Sequence, residues 1–488
     1  MGISILTLSL SAKFFGISVQ RDVWILAFNS ILILDLAIWG PINETFRAKF
    51  IFMKEESNEN DALQKARSVL VFTNAVTLCI VSLLLLFPEM LANMIAPHIK
   101  GADRDFLLLM IRVLVPSFLF NQITQIIISI LNAYNSIYIP EISGFIAGVV
   151  NLLLIIVLAP TIGIFSLAYG YYFGLLLLGV LLVWQVNRYK LALFSRLTES
   201  RFSDIVPFLL FALPFFFPYF AGQIAQVIEK SIASSLGTGT VSIVDYSRKF
   251  SDILLGVLSS VFTTIMIPAL SQRFAQSDFK GFFEEFRQNY QLGFLIMTVI
   301  IAMFTCCPNA FVSILYQKGN ITQEALHHIA HLVMLYSWSA FCIFLYLIIG
   351  MALISSKQGK VYAFFGVSAQ IIMIAFNLLM YRSMGTLVFP ISLAVSHLVA
   401  AMLMLRFLPV EKRGLIKVTL FYLSVLLFIV TVMYGINVCM PVPDNSFIEI
   451  IVNGLILGFL LLSVIFAFKM DEQAVLLKVY KSVSKKIF

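Results

Sequence analysis

The chain is a succession of apolar runs of about twenty residues, the length of helix that crosses the hydrocarbon core of a bilayer, separated by short polar clusters. That feature leaves few folds. In hydrocarbon every backbone N–H and C=O must be paired inside the protein, so helices or closed barrels are the available solutions, and unbroken apolar runs rather than strict alternation select helices. The runs predict spans near 1–15, 22–44, 68–96, 105–133, 138–160 and 162–187, then 205–236, 241–271, 289–316, 325–354, 361–381 and 386–407, and finally 416–439 and 446–468. The expected architecture is an all-α polytopic membrane protein of about fourteen transmembrane helices.

With 60% hydrophobic and 12% charged residues, the segments between spans are too short for a soluble catalytic domain. The excess of cations reads first as a topology signal, because cytoplasmic connections hold lysine and arginine in excess. Even-numbered connections and the tail carry 23 of them and odd-numbered connections 6, which places both ends in the cytoplasm. Nucleic acid is therefore not an expected partner. The first run, Met1 to Phe15, is shorter than a comfortable crossing and lacks the charged start and cleavage site of a signal peptide. A shortened helix, or a start further upstream, is the expectation there. Cys79, Cys306, Cys307, Cys342 and Cys439 lie in apolar runs without paired spacing, so neither a disulfide framework nor a zinc site is indicated.

A shift of 223 residues superposes Gly16 on Gly239, Asp22 on Asp245, Asn29 on Asp252 and Asn135 on Gln358. Six spans separate each pair, so the two halves run in the same direction, the parallel type of transporter repeat. The expected domains are a six-helix bundle at 1–187, a cytoplasmic linker at 188–204, a second bundle at 205–408, two additional helices at 409–468 and a basic tail at 469–488.

Charges inside a membrane cost roughly 2.5 to 3.5 kcal/mol each and usually face a cavity or one another. Asp245, Arg248, Lys249 and Asp252 follow i, i+3, i+4, i+7 spacing along one helix face. Two readings stay open: a self-neutralised ladder, or a cavity wall whose cations meet an anionic headgroup. Glu229 and Lys230 could supply a further pair. Asp22, Asp35 and Glu44 lie on the second span, and mid-span Asp35 could be protonated and inert, paired with the cations, or engaged in cation coupling. Arg112 reads as a snorkelling cation near a span end, and Asn121, Gln122 and Gln125 as interhelical hydrogen-bonding groups. His327, His328 and His331 have no acid or cysteine nearby to complete a metal site, and His397 stands alone. No cofactor motif is present, so transport would be driven by the membrane potential, H⁺ or Na⁺.

Val227-Ile-Glu-Lys-Ser-Ile-Ala-Ser-Ser-Leu-Gly-Thr-Gly-Thr-Val-Ser242, with Asp245-Tyr-Ser-Arg-Lys249, Gly256-Val257 and Thr264-Ile-Met-Ile-Pro-Ala-Leu-Ser271, resembles the MurJ (MviN) lipid II flippases. So do Leu315-Tyr-Gln-Lys-Gly-Asn-Ile-Thr322 with Tyr336-Ser337, Phe15-Gly16 with Asp22, and the turn Leu131-Asn-Ala-Tyr-Asn-Ser-Ile-Tyr-Ile-Pro140. The similarity runs over about residues 13–410. It implies the multidrug/oligosaccharidyl-lipid/polysaccharide (MOP) exporter superfamily and two six-helix bundles around a cationic cavity for a polyprenyl-diphosphate glycan. It also implies a groove for the lipid tail on the last two spans, residence in the bacterial cytoplasmic membrane, and glycan-assembly enzymes and membrane lipids as further partners. Lys249 falls where the family has an arginine, Asp252 where it has an acid, Glu229-Lys230 where it has an acid–base pair, and Asp22 where it has an aspartate. Asp35 stands where an arginine is expected, and the family's arginine-bearing first span has no match.

The expected function is thus a flippase for lipid II or a related lipid-linked oligosaccharide, not an enzyme. Headgroup contacts are expected from Lys249, Arg248, Lys230, Asp252, Asp245, Asp22, Asp35 and Glu229, with Arg112 and Asn29 secondary. The alternatives are a cation-coupled multidrug exporter, which Asp35 favours, a membrane-embedded glycan polymerase or ligase, and a non-transporting remnant.

Overall fold

The computed structural model describes residues 2–470 apart from Ser57, Asn135, Ile137, Ala192, 195–198, Lys318, 410–411 and 440–444. The basic tail from 471 onward and the turn residue Asn135 therefore lie outside the described residues. Among the described residues the regular structure is entirely helical, and it divides into two compact units.

The first unit comprises Met1–Val244, Gly319–Ile321 and Ile374–Thr386. Its helices are α1 (Gly2–Phe15), α2 (Val19–Ile38), α3 (Gly40–Glu56), α4 (Glu59–Leu86), α5 (Glu89–Ile95), α6 (Ala102–Leu114), α7 (Ser117–Ala133), α8 (Tyr138–Ile162), α9 (Phe165–Arg188) and α10 (Val206–Ser235). Long apolar side chains and side-chain caps set these boundaries. Ser18 Oγ accepts from the Arg21 amide to start α2, and the Asn58 side chain accepts from the Asp61 amide to start α4. Prolines break runs that hydropathy reads as continuous. Pro88 separates α4 from α5 and Pro116 separates α6 from α7.

The second predicted span is likewise two helices, α2 and α3, bent by 45°. Pro41 has no N–H to return to the preceding turn, and Gly40 leaves the break without a side chain to resist it. A Cβ at Gly40 would sit 2.5 Å from the Tyr219 ring, so the small residue also admits α10 against α3. Phe46 fixes the same contact, its ring 5.0 Å from that of Phe208.

The second unit comprises Asp245–Lys318, Thr322–Met373 and Leu387–Phe488. It holds most of α11 (Thr240–Ala275), then α12 (Phe279–Cys306), α13 (Pro308–Tyr316), α14 (Gln323–Ser355), α15 (Gly359–Met384), α16 (Val388–Met404), α17 (Lys412–Cys439) and α18 (Ser446–Ala467). Its core is an aromatic stripe on α12, Phe282, Phe286, Tyr290 and Phe294, at the four-residue spacing that puts side chains on one helix face. Phe294 meets Phe341 of α14 at 5.1 Å and Tyr422 of α17 at 5.7 Å. Gly293 lets α14 approach, since a Cβ there would overlap the Phe344 ring.

Among the described residues, eleven helical segments are long and apolar enough to cross a membrane, or twelve if α2 and α3 form one bent span. One of the eleven runs from Gly359 to Phe407 but is not a single rod. The Tyr346 ring lies 5.2 Å from Tyr362 of α15 and 5.3 Å from His397 of α16. On a straight helix those two residues would be about 50 Å apart, so the chain folds back between them, near Gly385 with its φ of +55°. That segment is therefore two helices, α15 and α16, rather than one. The expected fourteen crossings are still not reached, because α1 spans only about 21 Å against a core of about 30 Å. The outward faces are apolar, as lipid contact requires: Val157, Phe217, Leu455 and Phe459 are each more than 60% exposed.

Candidate functional site

In the second unit, α11 carries Asp245, Arg248, Lys249 and Asp252 on one face, and the helix periodicity pairs them. Arg248 Nε lies 3.4 Å from Asp252 Oδ1, and Lys249 Nζ lies 4.0 Å from Asp245 Oδ1. The ladder reading is therefore geometrically real, though loose. The second separation is too long for a hydrogen bond, and the Lys249 side chain is 46% exposed. Loose pairs of this kind contribute little where they are exposed, and Asp245 and Arg248 make further interactions besides.

In the first unit, Lys230 and Glu229 are adjacent on α10 and both are buried, at 8% and 3% exposure. They are not the pair that adjacency suggested, because neighbours on a helix diverge by about 100°. Lys230 has no hydrogen-bond or ion-pair partner among the described residues. Its stem is buried while its Nζ keeps access to solvent, where an anion or water can receive its three donors.

Asp22 makes a structural contact that the sequence did not foretell. Its Oδ2 accepts from the Gly239 amide at 2.6 Å, and its Oδ1 accepts from the Ser242 amide at 2.8 Å and the Ser242 hydroxyl at 2.5 Å. It caps the start of α11 from a helix more than 200 residues away, using both oxygens. Gly239 must be a glycine here, with φ at +84° and a would-be Cβ 2.5 Å from Ile17. Gly16, which the 223-residue shift matches to it, also has a positive φ, at +56°.

Asp35 is 4% exposed, and its Oδ2 accepts from the Asn121 amide of α7. Its Oδ1 is buried without a hydrogen-bond partner among the described residues. Asn43 and Gln122 exchange amide hydrogen bonds at 3.2 and 3.3 Å, and the Tyr219 hydroxyl donates to Glu44 at 3.3 Å. Asn121 and Gln122 thus form the interhelical bonds expected of them. Sequence reasoning missed Tyr219 and Asn43 as members of this group; the Gly40-Pro41 dipeptide was the signal that the chain opens there. Asn29 donates to the Ile25 carbonyl of its own helix at 2.8 Å, and Arg112 is exposed on the last turn of α6.

A family model described as lipid II flippase MurJ matches residues 11–452. A probable lipid II flippase MurJ of Thermotoga maritima is 23% identical over 417 residues, covering 84% of this chain and 83% of the relative. One from Aquifex aeolicus is 23% identical over 335 residues, covering 67% of this chain and 64% of the relative. A solved lipid II flippase MurJ in an inward closed conformation superposes with a TM-score of 0.77 at 16% identity, over 96% of this chain and 97% of its own. An inward-facing MATE-family multidrug resistance transporter of the MOP superfamily gives a TM-score of 0.70 at 11% identity, over 86% and 94%. The solved structures share the fold, and the family model covers nine-tenths of the sequence: the chain is a polytopic membrane protein belonging to the MurJ family.

Proposed function

We propose that the chain is a flippase that carries a polyprenyl-diphosphate-linked glycan precursor, lipid II or a related oligosaccharide lipid, across the bacterial cytoplasmic membrane. The observation that carries this reading is Lys230, a buried cation in a membrane-spanning helix with no acid partner among the described residues. A diphosphate supplies the missing negative charge, and ammonium-to-phosphate hydrogen bonds contribute about 1.5 to 3 kcal/mol each. Arg248 and Lys249, in the second unit, are anion-attracting groups in their own right. No covalent step is involved, so the chain acts by alternating access and not as an enzyme. A ligand shifts such an equilibrium only through differential affinity, so the α11 pairs exchange partners between access states.

Both termini are assigned to the cytoplasm by the lysine and arginine distribution. The division into bundles at 1–187 and 205–408 with two further helices belongs to the same proposal, as does drive by the membrane potential, H⁺ or Na⁺. A cation-coupled exporter of amphipathic drugs is the second reading, favoured by the buried Asp35 carboxylate and the shared fold with the MATE transporter.

Native mass spectrometry of the purified protein with its co-purifying lipids tests the choice. The flippase reading expects a polyprenyl-diphosphate sugar on the wild type and at least a tenfold lower occupancy on Lys230→Met. Equal retention by both forms, or retention of organic cations alone, overturns it.

A further inference from the structure

In the first unit, α10 is apolar from Val206 to Pro218, yet its second half carries a polar stripe. Tyr219, Gln223, Gln226, Lys230 and Ser234 follow i, i+4, i+7, i+11 and i+15 spacing, which confines them to about 80° of the helix circumference. Tyr219 and Ser234 are engaged, with Glu44 and with the Ser231 carbonyl. A glutamine in a membrane helix ordinarily hydrogen-bonds across to a neighbouring helix. Here the one side-chain bond of the two glutamines is to each other along α10, from Gln226 Nε2 to Gln223 Oε1 at 3.4 Å. Gln223 Nε2 and Gln226 Oε1 have no partner among the described residues, and both atoms remain open to water although Gln223 is only 7% exposed. Gly222, one turn before Gln226 on the same face, leaves clear space, since nothing lies within 4 Å of where its Cβ would stand. The stripe therefore offers a free amide donor and a free amide acceptor beside the Lys230 ammonium, inside a membrane span.

We propose that Gln226 and Gln223 read the sugars of the lipid-linked cargo, hydrogen-bonding their hydroxyl or acetamido groups while Lys230 holds the diphosphate. This rests on the flippase reading and adds to it the residues that tell a glycosylated lipid from a bare one. The spacing sets their order. Gln226 lies one turn, about 6 Å, from Lys230 along the helix axis, and Gln223 two turns, about 10.5 Å. A hexose joined to the diphosphate reaches the first, and a second hexose reaches the second. The chemistry agrees: a side-chain amide is neutral, with two N–H donors and two lone pairs on its oxygen, which suits hydroxyl and acetamido groups and adds no charge for phosphate. A site built to hydrogen-bond such groups discriminates against a ligand that lacks them, because its own polar atoms are then left unpaired. The glutamines' contribution is thus specific to sugar, whereas that of Lys230 is common to every diphosphate lipid.

The test measures affinities of the full-length protein in detergent for undecaprenyl diphosphate, bare and bearing one or two hexoses. The proteins are wild type, Gln226→Leu, Gln223→Leu and Lys230→Met. Leucine suits a membrane span, and the ratio between lipids on one sample does not depend on how much of that sample is folded. Gln226→Leu should lose about three- to tenfold in affinity for both glycosylated lipids, and Gln223→Leu a similar factor for the two-hexose lipid alone. Neither should change the affinity for the bare diphosphate. Lys230→Met should weaken all three lipids by one common factor. An equal loss for bare and glycosylated lipids in the glutamine variants, or unchanged discrimination between them, overturns the proposal and leaves the flippase reading standing. No binding of any of the three lipids by wild type overturns the flippase reading and this proposal with it.

Discussion

Replacing Asp22 tests whether it is a structural cap or a cargo ligand. Asp22→Ala leaves the Gly239 amide, the Ser242 amide and the Ser242 hydroxyl without their acceptor at a site where Asp22 is only 6% exposed. Each buried amide left unsatisfied costs about 1 to 3 kcal/mol. Relief of the buried carboxylate's own desolvation offsets part of that, and a net loss of about 3 kcal/mol is expected. If the first unit unfolds cooperatively, that loss lowers its midpoint by roughly 6 to 12 °C. Asp22→Asn sharpens the argument, since one amide oxygen can still accept from Ser242 while the amide nitrogen confronts the Gly239 N–H, donor against donor. It should fall between wild type and alanine. The assay is intrinsic fluorescence during heating in detergent, where Trp24 and Trp39 on or beside α2 report the first unit. Midpoints of both variants within about 1 °C of wild type, together with loss of lipid binding, would refute the cap and return Asp22 to the cargo.

Other outcomes follow from the same geometry. Lys249→Arg replaces a point charge with a two-pronged donor within reach of Asp245, so retention of diphosphate lipid should rise two- to fivefold in a competition assay. Gly293→Ala places a methyl group 2.0 Å from Phe344 Cζ and should lower the second unit's stability by about 1 to 3 kcal/mol, read from its unfolding midpoint. Asp278 lies between α11 and α12, and its carboxyl is held below the usual value of 3.8, chiefly by the Gly281 N–H it accepts from and also by Arg273. A depressed carboxylate stabilises above its unfolded value and loses that effect as pH falls through its folded value. Protection of the Gly281 amide, relative to its intrinsic exchange rate at each pH, should therefore hold at pH 4 and be lost only as the pH falls well below 3.8, and Asp278→Ala should remove that step.

What sequence could and could not reveal divides along physical lines. The spans were legible because hydrocarbon demands a long apolar run, and the fold-back between α15 and α16 falls where Gly385 interrupts one. The breaks at Pro88, Pro116 and Pro308 were marked by prolines, yet a hydropathy window averages over a single residue and passes across them. The α11 ladder was legible because i, i+4 spacing fixes who meets whom on one helix. Asp22 and Asp35 were legible as unusual and illegible as to role. Their partners lie 217 to 220 and 86 residues away, and only the packing of helices brings them together. Lys230 shows the converse, since adjacency to Glu229 promised a pair that helix geometry denies.

The account rests on a diphosphate-bearing lipid moving across the membrane with the help of Lys230. The most direct measurement is flipping in proteoliposomes, with a fluorescent undecaprenyl-diphosphate disaccharide in both leaflets and an impermeant quencher added outside. Wild type should convert the protected half of the signal to the accessible pool within minutes, while Lys230→Met, reconstituted to the same density and equally stable, should be slowed tenfold or more. Equal rates for the two proteins, or no transfer by wild type under any imposed potential, pH or Na⁺ gradient, would contradict it.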